Sequence, residues 1–204
     1  ETAYAYYANI AVGLCEGPIA LVRRVWVEGR ELDLSTVTMR VHTGEENQPA
    51  DPLIVAKEGA DAPAYRGLAY VVFERLALAD FGNRVPQFSF EVVRAVPGIG
   101  QMVRAVTLIP GASEFIYAPG QVMHEPSPGV SEALNRHQLS NGTDVEAALL
   151  ALTRLCPNVR RVSLVVAWFG DDLRAGTCTI APRVQSSVKP TTGLSWSAAG
   201  LDRA

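Results

Sequence analysis

Two adjacent carboxylates, Asp171 and Asp172, follow the apolar run from Val162 to Trp168 and are the residues best placed by type and position to do chemistry. Polar groups just past the C-terminal end of a buried parallel strand are where α/β barrels put their active sites. Two carboxylates can act as the acid and the nucleophile or base of glycoside hydrolysis, provided that they face each other across a substrate at roughly 5 to 9 Å. Neighbouring residues in a chain rarely do so. The plainer reading has Asp171 or Asp172 capping the turn after the strand.

Other candidate chemistry is thinner. His42, His124 and His137 lie far apart in the sequence with no Cys, Asp or Glu at ligand spacing, so no metal is expected. Gly98 and Gly100 close a strand, but neither a third glycine nor a Lys-Ser/Thr pair follows at the offset that cradles phosphates, and no cofactor is expected. Ser113 and the serines near Ser186 have no histidine at a recognisable distance, which leaves nucleophilic catalysis without support. Asn141-Gly142-Thr143 matches a glycosylation sequon, yet Thr143 suits the cap of a helix better. Tyr4, Tyr6 and Tyr7 could stack sugars or bases, although tyrosines alternating with alanine more often form a sheet face packed on a neighbour.

Composition narrows the classes. The 204 residues are 48% hydrophobic and only 19% charged, with a formal net charge of -3, so the chain builds real cores and lacks the basic footprint of nucleic-acid binding. Pairs such as Arg23-Arg24 and Arg160-Arg161 read as solvated strand ends. Cys15, Cys156 and Cys178 form no CxxC and leave at least one thiol unpaired, which argues against a disulfide-framed secreted domain and for folding in a reducing place. No run approaches the ~20 apolar residues needed to span a bilayer, and no export signal opens the chain. The first residue is Glu1 and the stretch from Trp196 to Ala204 lacks the look of a terminus, so a piece of a longer polypeptide is expected.

The elements that must position these residues read as strands separated by Gly/Pro turns. Tyr4 to Leu14 suits an extended segment, Cys15 to Pro18 breaks it, and Ile19 to Val27 with the turn Glu28-Gly29-Arg30-Glu31 reads as a hairpin. A strand from Thr36 to His42 and a surface loop from Thr43 to Pro52 come next. Ala69 to Leu78 favours strand over helix because of Val71, Val72 and Phe73, and Phe88, Phe90 and Val92 alternate as a half-buried strand requires. From Gly111 to Gly142 periodicity disappears, as in a linker or long loop. Thr143 then caps a helix with Asp144 and Glu146 in its first turn, Val145, Leu149, Leu152 and Leu155 on one face, and Pro157 at its end. Val162 to Trp168 predicts a strand covered on both faces. The predicted class is therefore α+β: a β-rich domain over 1–118, a loop or linker over 119–142, and a smaller α/β unit over 143–204.

Seven segments in one order carry a family resemblance: Tyr6 to Ile19, Val25 to Arg30, Gly44 to Gln48 with Asp51-Pro52, Pro63 to Tyr70, Asp80 to Pro86, Leu108 to Phe115, and Ala167 to Arg174. Together they resemble the tail-tip and host-specificity proteins of long-tailed phages, and in particular the baseplate hub ("megatron") proteins of alphaproteobacterial gene transfer agents. The resemblance implies a homo-oligomeric ring, usually trimeric, whose hub domains surround the channel at the distal end of the tail tube. It implies other tail and baseplate proteins as partners, a cell-surface glycan as a ligand class, and a virion tail tip, assembled in the bacterial cytoplasm, as the location. It also implies that a TIM-barrel domain resembling glycoside hydrolases follows the hub region. Only the opening of such a barrel, the helix from Thr143 and the strand ending at Trp168, would be present, and a barrel of ~250 residues cannot be built from what remains.

The expected function is thus structural: a tail-hub component that assembles around the tail axis and contributes to attachment at, or penetration of, the cell envelope. The rival readings are a hydrolase of peptidoglycan or surface polysaccharide with Asp171 or Asp172 in its site, and a carbohydrate-binding module using the N-terminal tyrosines. Catalysis is not expected of the chain as it stands, and Asp171 and Asp172 are its only catalytic candidates.

Overall fold

The computed structural model describes residues 4–184 and 186–203 and divides the chain into two compact units, Glu1–Gln101 and Met102–Ala204. The fold is strand-rich α+β. Its elements are β1 (Tyr7–Glu16), β2 (Leu21–Val27), β3 (Arg30–Glu31), β4 (Thr38–His42), α1 (Pro52–Glu58), β5 (Leu68–Ala77), β6 (Phe88–Val93), α2 (Ile99–Met102), β7 (Ala105–Leu108), β8 (Met123–Ser127), β9 (Val130–Ala133), α3 (Asp144–Leu155) and β10 (Arg161–Leu164). The two-residue strands β11 (Phe169–Gly170), β12 (Ile180–Ala181), β13 (Thr191–Thr192), β14 (Ser197–Ala198) and β15 (Leu201–Asp202) complete the order.

In the first unit two three-stranded antiparallel sheets, β1-β5-β4 and β3-β2-β6, share one core. Val71 and Phe73 of the central strand β5 meet Val22, Val25 and Val27 of β2, and the Phe73 ring stacks on Phe88 with centroids 4.8 Å apart. The β-branched run Val71-Val72 therefore goes to strand, since β5 is buried on both faces from Ala69 to Phe73 and a pleated surface fits such side chains best. Each buried Val or Phe contributes roughly 1.5–3 kcal/mol. The turn between β2 and β3 has Glu28 at φ 50° and Gly29 at φ 80°, the left-handed pair that a two-residue hairpin requires.

The loop expected from Thr43 to Pro52 gives way to a helix at its end. Asp51 caps α1 by accepting the Leu53 N–H, and Pro52 occupies the first turn, where its missing N–H costs nothing.

In the second unit β7 and β10 run parallel, with Val106 opposite Val162 and Leu108 opposite Leu164, and α3 lies in the connection between them. The helix starts at a capping box: Thr143 Oγ1 accepts the Glu146 N–H, and Glu146 Oε2 accepts the Thr143 N–H. Residues 119–142 contain the antiparallel pair β8–β9, joined to β13 in a three-stranded sheet. The expectation that Val162 to Trp168 is covered on both faces is not met. Val162, Leu164, Val165, Val166 and Trp168 are all exposed within this chain, because among the described residues β10 has β7 as its single strand partner. No helix among the described residues is long and apolar enough to cross a membrane.

Candidate functional site

The segments that carry the resemblance come together in three places, and at each the chemistry is that of tying loops. The first is one end of the β1-β5-β4 sheet. Gly17 and Gly44 pack backbone to backbone, so that a Cβ on Gly44 would lie 2.7 Å from the Gly17 Cα. The Gly17 N–H donates to the Gly67 carbonyl at 2.7 Å, and the Ile19 N–H to the Thr43 carbonyl at 2.9 Å. Buried Gln48 acts as a clamp: its Oε1 accepts the Gly44 N–H at 2.7 Å, and its Nε2 faces the carbonyls of Ala64, Tyr65 and Leu68 at 3.0, 3.1 and 3.3 Å. A buried amide matched by several backbone groups ties its own loop to the segment that leads into β5.

Beside this clamp lies a buried ionic cluster. Asp51 is 0% exposed and takes a two-pronged contact from Arg40, Nε to Oδ2 at 2.7 Å and Nη2 to Oδ1 at 3.0 Å. His42 Nε2 lies 2.8 Å from Asp51 Oδ2, and Arg40 Nη1 reaches Glu74 at 2.6 Å. Burial by itself would raise the Asp51 carboxyl. The hydrogen bonds from Arg40, His42 and the Leu53 N–H outweigh it and hold the group well below the usual carboxylate range. The same contacts, with Asp51 first and Glu74 second, hold the Arg40 guanidinium above its ordinary value. Tyr70 stacks on His42 with ring centroids 4.3 Å apart, and burial pushes its phenol up. The cluster holds β4, β5 and the start of α1 in register.

The second place is the far turn of the first unit. Glu28 Oε1 accepts from Arg84 Nη1 at 2.9 Å and from the Gln87 N–H at 3.0 Å, which joins the β2–β3 turn to the Asp80 to Pro86 segment. The Gln87 N–H and then Arg84 lower the Glu28 carboxyl.

The third lies in the second unit, where Leu108 to Phe115 and the start of Ala167 to Arg174 line a cavity of about 680 Å³ together with Tyr117, Arg183, Lys189 and Trp196. Ile109 and Val165 of its lining directly follow the C-terminal ends of the parallel strands β7 and β10. The Tyr117 hydroxyl lies 2.9 Å from the Leu108 carbonyl and 2.8 Å from that of Val165, and it accepts the Val165 N–H at 3.0 Å. Replacing Tyr117 with phenylalanine is expected to cost about 1–3 kcal/mol and to speed amide exchange at Val165. Unchanged exchange there would show that the hydroxyl does not hold the strand ends. On the same wall Glu114 pairs with Arg203 and, at 3.6 Å, with Lys189.

Asp171 and Asp172 follow Phe169, which lines the cavity, and each is engaged by nearby groups. Asp171 accepts the Thr179 N–H at 2.8 Å and pairs with Arg183 at 3.2 Å; the first of these contacts does most to lower its carboxyl. Asp172 binds the Arg174 guanidinium, the Arg174 N–H and the Thr177 hydroxyl, and it is held well below the carboxylate range in that order of cause. Held ionised, neither is poised to donate a proton.

Two of the histidines have carboxylate neighbours that sequence spacing hides. His42 meets Asp51, and His137 Nδ1 lies 2.7 Å from Asp144 Oδ2, while His124 Nδ1 contacts the Pro190 carbonyl. Among the described residues no group of three or more His, Cys, Asp or Glu is placed to hold a metal. Gly98 and Gly100 lie at α2, Ser113 Oγ accepts the Phe115 N–H, and Ser186 donates to the Val188 carbonyl. Tyr4, Tyr6 and Tyr7 are exposed, and the Arg75 guanidinium sits 5.1 Å over the Tyr7 ring.

No protein-family profile and no curated protein matches the chain. Among solved structures it is similar to a chain described as "Virion of native gene transfer agent (GTA) particle", with 51% identity, a TM-score of 0.46, and coverage of 56% of this chain and 29% of that one. The chain thus spans less than a third of the length of the virion chain that it matches.

Proposed function

We propose that this chain is a structural part of a phage-like particle of the gene-transfer-agent type, acting as a tail-tip hub that assembles as a homo-oligomeric ring around the tail axis with other tail and baseplate proteins. The observation that carries the reading is where the seven resembling segments fall. They meet at the Gly17–Gly44–Gln48 clamp, the Glu28–Arg84 turn and the walls of the second-unit cavity, so what they share with tail-hub proteins is a scaffold. The parallel pair β7–β10, with α3 in its connection, is the kind of unit with which a longer α/β barrel opens. A hydrolase would need two carboxylates facing a substrate, whereas Asp171 and Asp172 are each engaged by cations and N–H groups of their own loops, and the reading places no catalysis on them.

Immunogold electron microscopy of purified particles, with sedimentation of the full-length protein, tests this. Label at the distal end of the tail and a closed oligomer in solution are expected. A stable monomer absent from particles would sink the proposal.

A further inference from the structure

We propose that the second unit carries a lipid-contacting surface. The end of the β7–β10 pair at which both strands begin, with Arg104, Arg154, Arg160 and Arg161, seats on the headgroups of an anionic phospholipid bilayer, and Met102 and Ile99 enter the boundary with the acyl chains. This goes beyond the tail-hub reading, which names no lipid.

The fold gathers these arginines. The Arg160 and Arg161 N–H groups both donate to the Arg104 carbonyl, at 2.9 and 3.1 Å, so three guanidinium side chains leave neighbouring stretches of main chain. Arg154 lies in the last turn of α3, which leads to β10 through a turn closed by the Val159 N–H on the Cys156 carbonyl at 3.1 Å. All four arginines are exposed, and among the described residues no ion pair engages Arg154, Arg160 or Arg161. The C-terminal end of α3 sets about half a negative charge against four positive ones. Met102, two residues before Arg104, is 75% exposed. Ile99, three residues earlier on the single turn α2 and hence on the same side of it, is 81% exposed.

The carboxylates of the second unit belong elsewhere. Neither residues 92–113 nor residues 147–170 include an Asp or a Glu. Glu114 lines the cavity beyond the C-terminal ends of the two strands, about 13 Å from where they start. Asp171 and Asp172 follow Phe169 of the same cavity, and Asp202 precedes the Arg203 that pairs with Glu114. Asp144 and Glu146 open α3, and a Cβ on Gly111 would lie 3.4 Å from Asp144 Oδ2, which puts that end of the helix there too. Glu125 and Glu132 sit on the β8–β9 hairpin, followed by Asn135, which binds the Ala118 and Gly120 carbonyls just past Tyr117. Cations gathered at one end with no carboxylate among them complement a negatively charged membrane surface, where each arginine strengthens binding roughly fivefold. The exposed aliphatic tips beside them select among polyanions, since a bilayer offers an apolar phase as well as charge. A single-stranded nucleic acid calls instead for aromatic stacking, and the exposed Trp168 and Phe169 lie past the opposite end of β10.

The test is co-flotation of the full-length protein with vesicles of phosphatidylglycerol and phosphatidylcholine, against vesicles of phosphatidylcholine alone, at low and high salt. The wild type should float with the anionic vesicles only, and salt should release it. Arg160→Gln with Arg161→Gln should weaken that binding roughly tenfold or more, whereas Arg160→Lys with Arg161→Lys should keep most of it. Ile99→Ser with Met102→Ser should also weaken it roughly tenfold or more. Arg30→Gln with Lys57→Gln removes the same charge from exposed positions of the first unit and should leave binding unchanged. Thermal melts check that the variants fold. A wild type that ignores anionic vesicles overturns the proposal, as does full binding by the Arg160 and Arg161 glutamine variant or by the Ile99 and Met102 variant. A first-unit pair that loses as much as the Arg160 and Arg161 pair also overturns it, by making net charge the cause. Tail labelling and oligomeric state are read separately, so losing the lipid surface does not overturn the hub reading.

Discussion

Replacing Asp51 with alanine is expected to destabilise the first unit by about 2–4 kcal/mol, from the lost charge-assisted hydrogen bonds to Arg40, which keeps only Glu74, and the lost cap of α1. The carboxylate is fully buried and satisfies four groups at once: Arg40 Nε, Arg40 Nη2, His42 Nε2 and the Leu53 N–H that starts α1. Total stabilities are of order 5–15 kcal/mol, so a loss of this size removes much of the margin. A urea titration monitored by tryptophan fluorescence and far-UV circular dichroism measures it. Arg40→Met combined with Asp51→Leu should recover part of the loss, since a well-packed apolar pair can replace a buried ion pair that a single deletion only orphans. A single variant as stable as the wild type would remove the cluster from the account of the fold.

The same cluster sets an acid limit. The Asp51 carboxyl is depressed in the folded state, so its contribution is present above the unfolded value of about 3.9 and is lost as pH falls through that value toward the folded one. Wild-type stability should drop below about pH 4, and an Asp51→Asn variant should lack that part of the drop.

How much of this was legible in the sequence depends on the range of the interaction. The hairpin at Glu28-Gly29, the strand through Val71 to Phe73 and the capping box at Thr143 are written in neighbouring residues, and local steric and hydrogen-bonding rules suffice to read them. Asp51-Pro52 is equally local, an N-cap followed by proline at the first helical position, and a reading that treats the proline only as a breaker passes over α1. The pairing of His42 with Asp51 is different. Nine residues separate them along a loop, and they meet because β4 and the start of α1 are both anchored to β5, which no spacing rule encodes. For Val162 to Trp168 the apolar run implies a strand, which forms only over Arg161–Leu164, and the cover on both faces that the pattern predicts is absent among the described residues. The candidate site divides in the same way. Asp171 and Asp172 are visible as a pair after a strand, whereas the Thr179 N–H that does most to lower the first and the Arg174 contacts that lower the second belong to the fold.

Gly44→Ala is expected to cost about 3 kcal/mol or more and to disrupt the clamp on which three of the resembling segments converge. Two independent penalties act at this residue. Its backbone has φ +84°, a region where a Cβ is strained, and a position incompatible with alanine loses more than the entropy gained in the unfolded chain. The new methyl would also lie 2.7 Å from the Gly17 Cα, 2.9 Å from the Ala69 N and 3.0 Å from the Leu68 carbonyl carbon, all of them main-chain atoms with no rotamer to yield. The loop can accept it only by moving away from Gly17, and that breaks the 2.7 Å hydrogen bond from the Gly44 N–H to Gln48 Oε1. Gln48 then loses the geometry with which it faces the Ala64, Tyr65 and Leu68 carbonyls, so the penalty spreads through buried polar groups rather than staying at one residue. Gly29 gives the control: its φ is +80°, yet nothing lies within 4 Å of a Cβ there, so Gly29→Ala should show the backbone penalty alone. Thermal melts of the two variants separate the terms. A Gly44→Ala protein no less stable than the Gly29→Ala protein would mean that the Gly17–Gly44 contact does not hold the loops together.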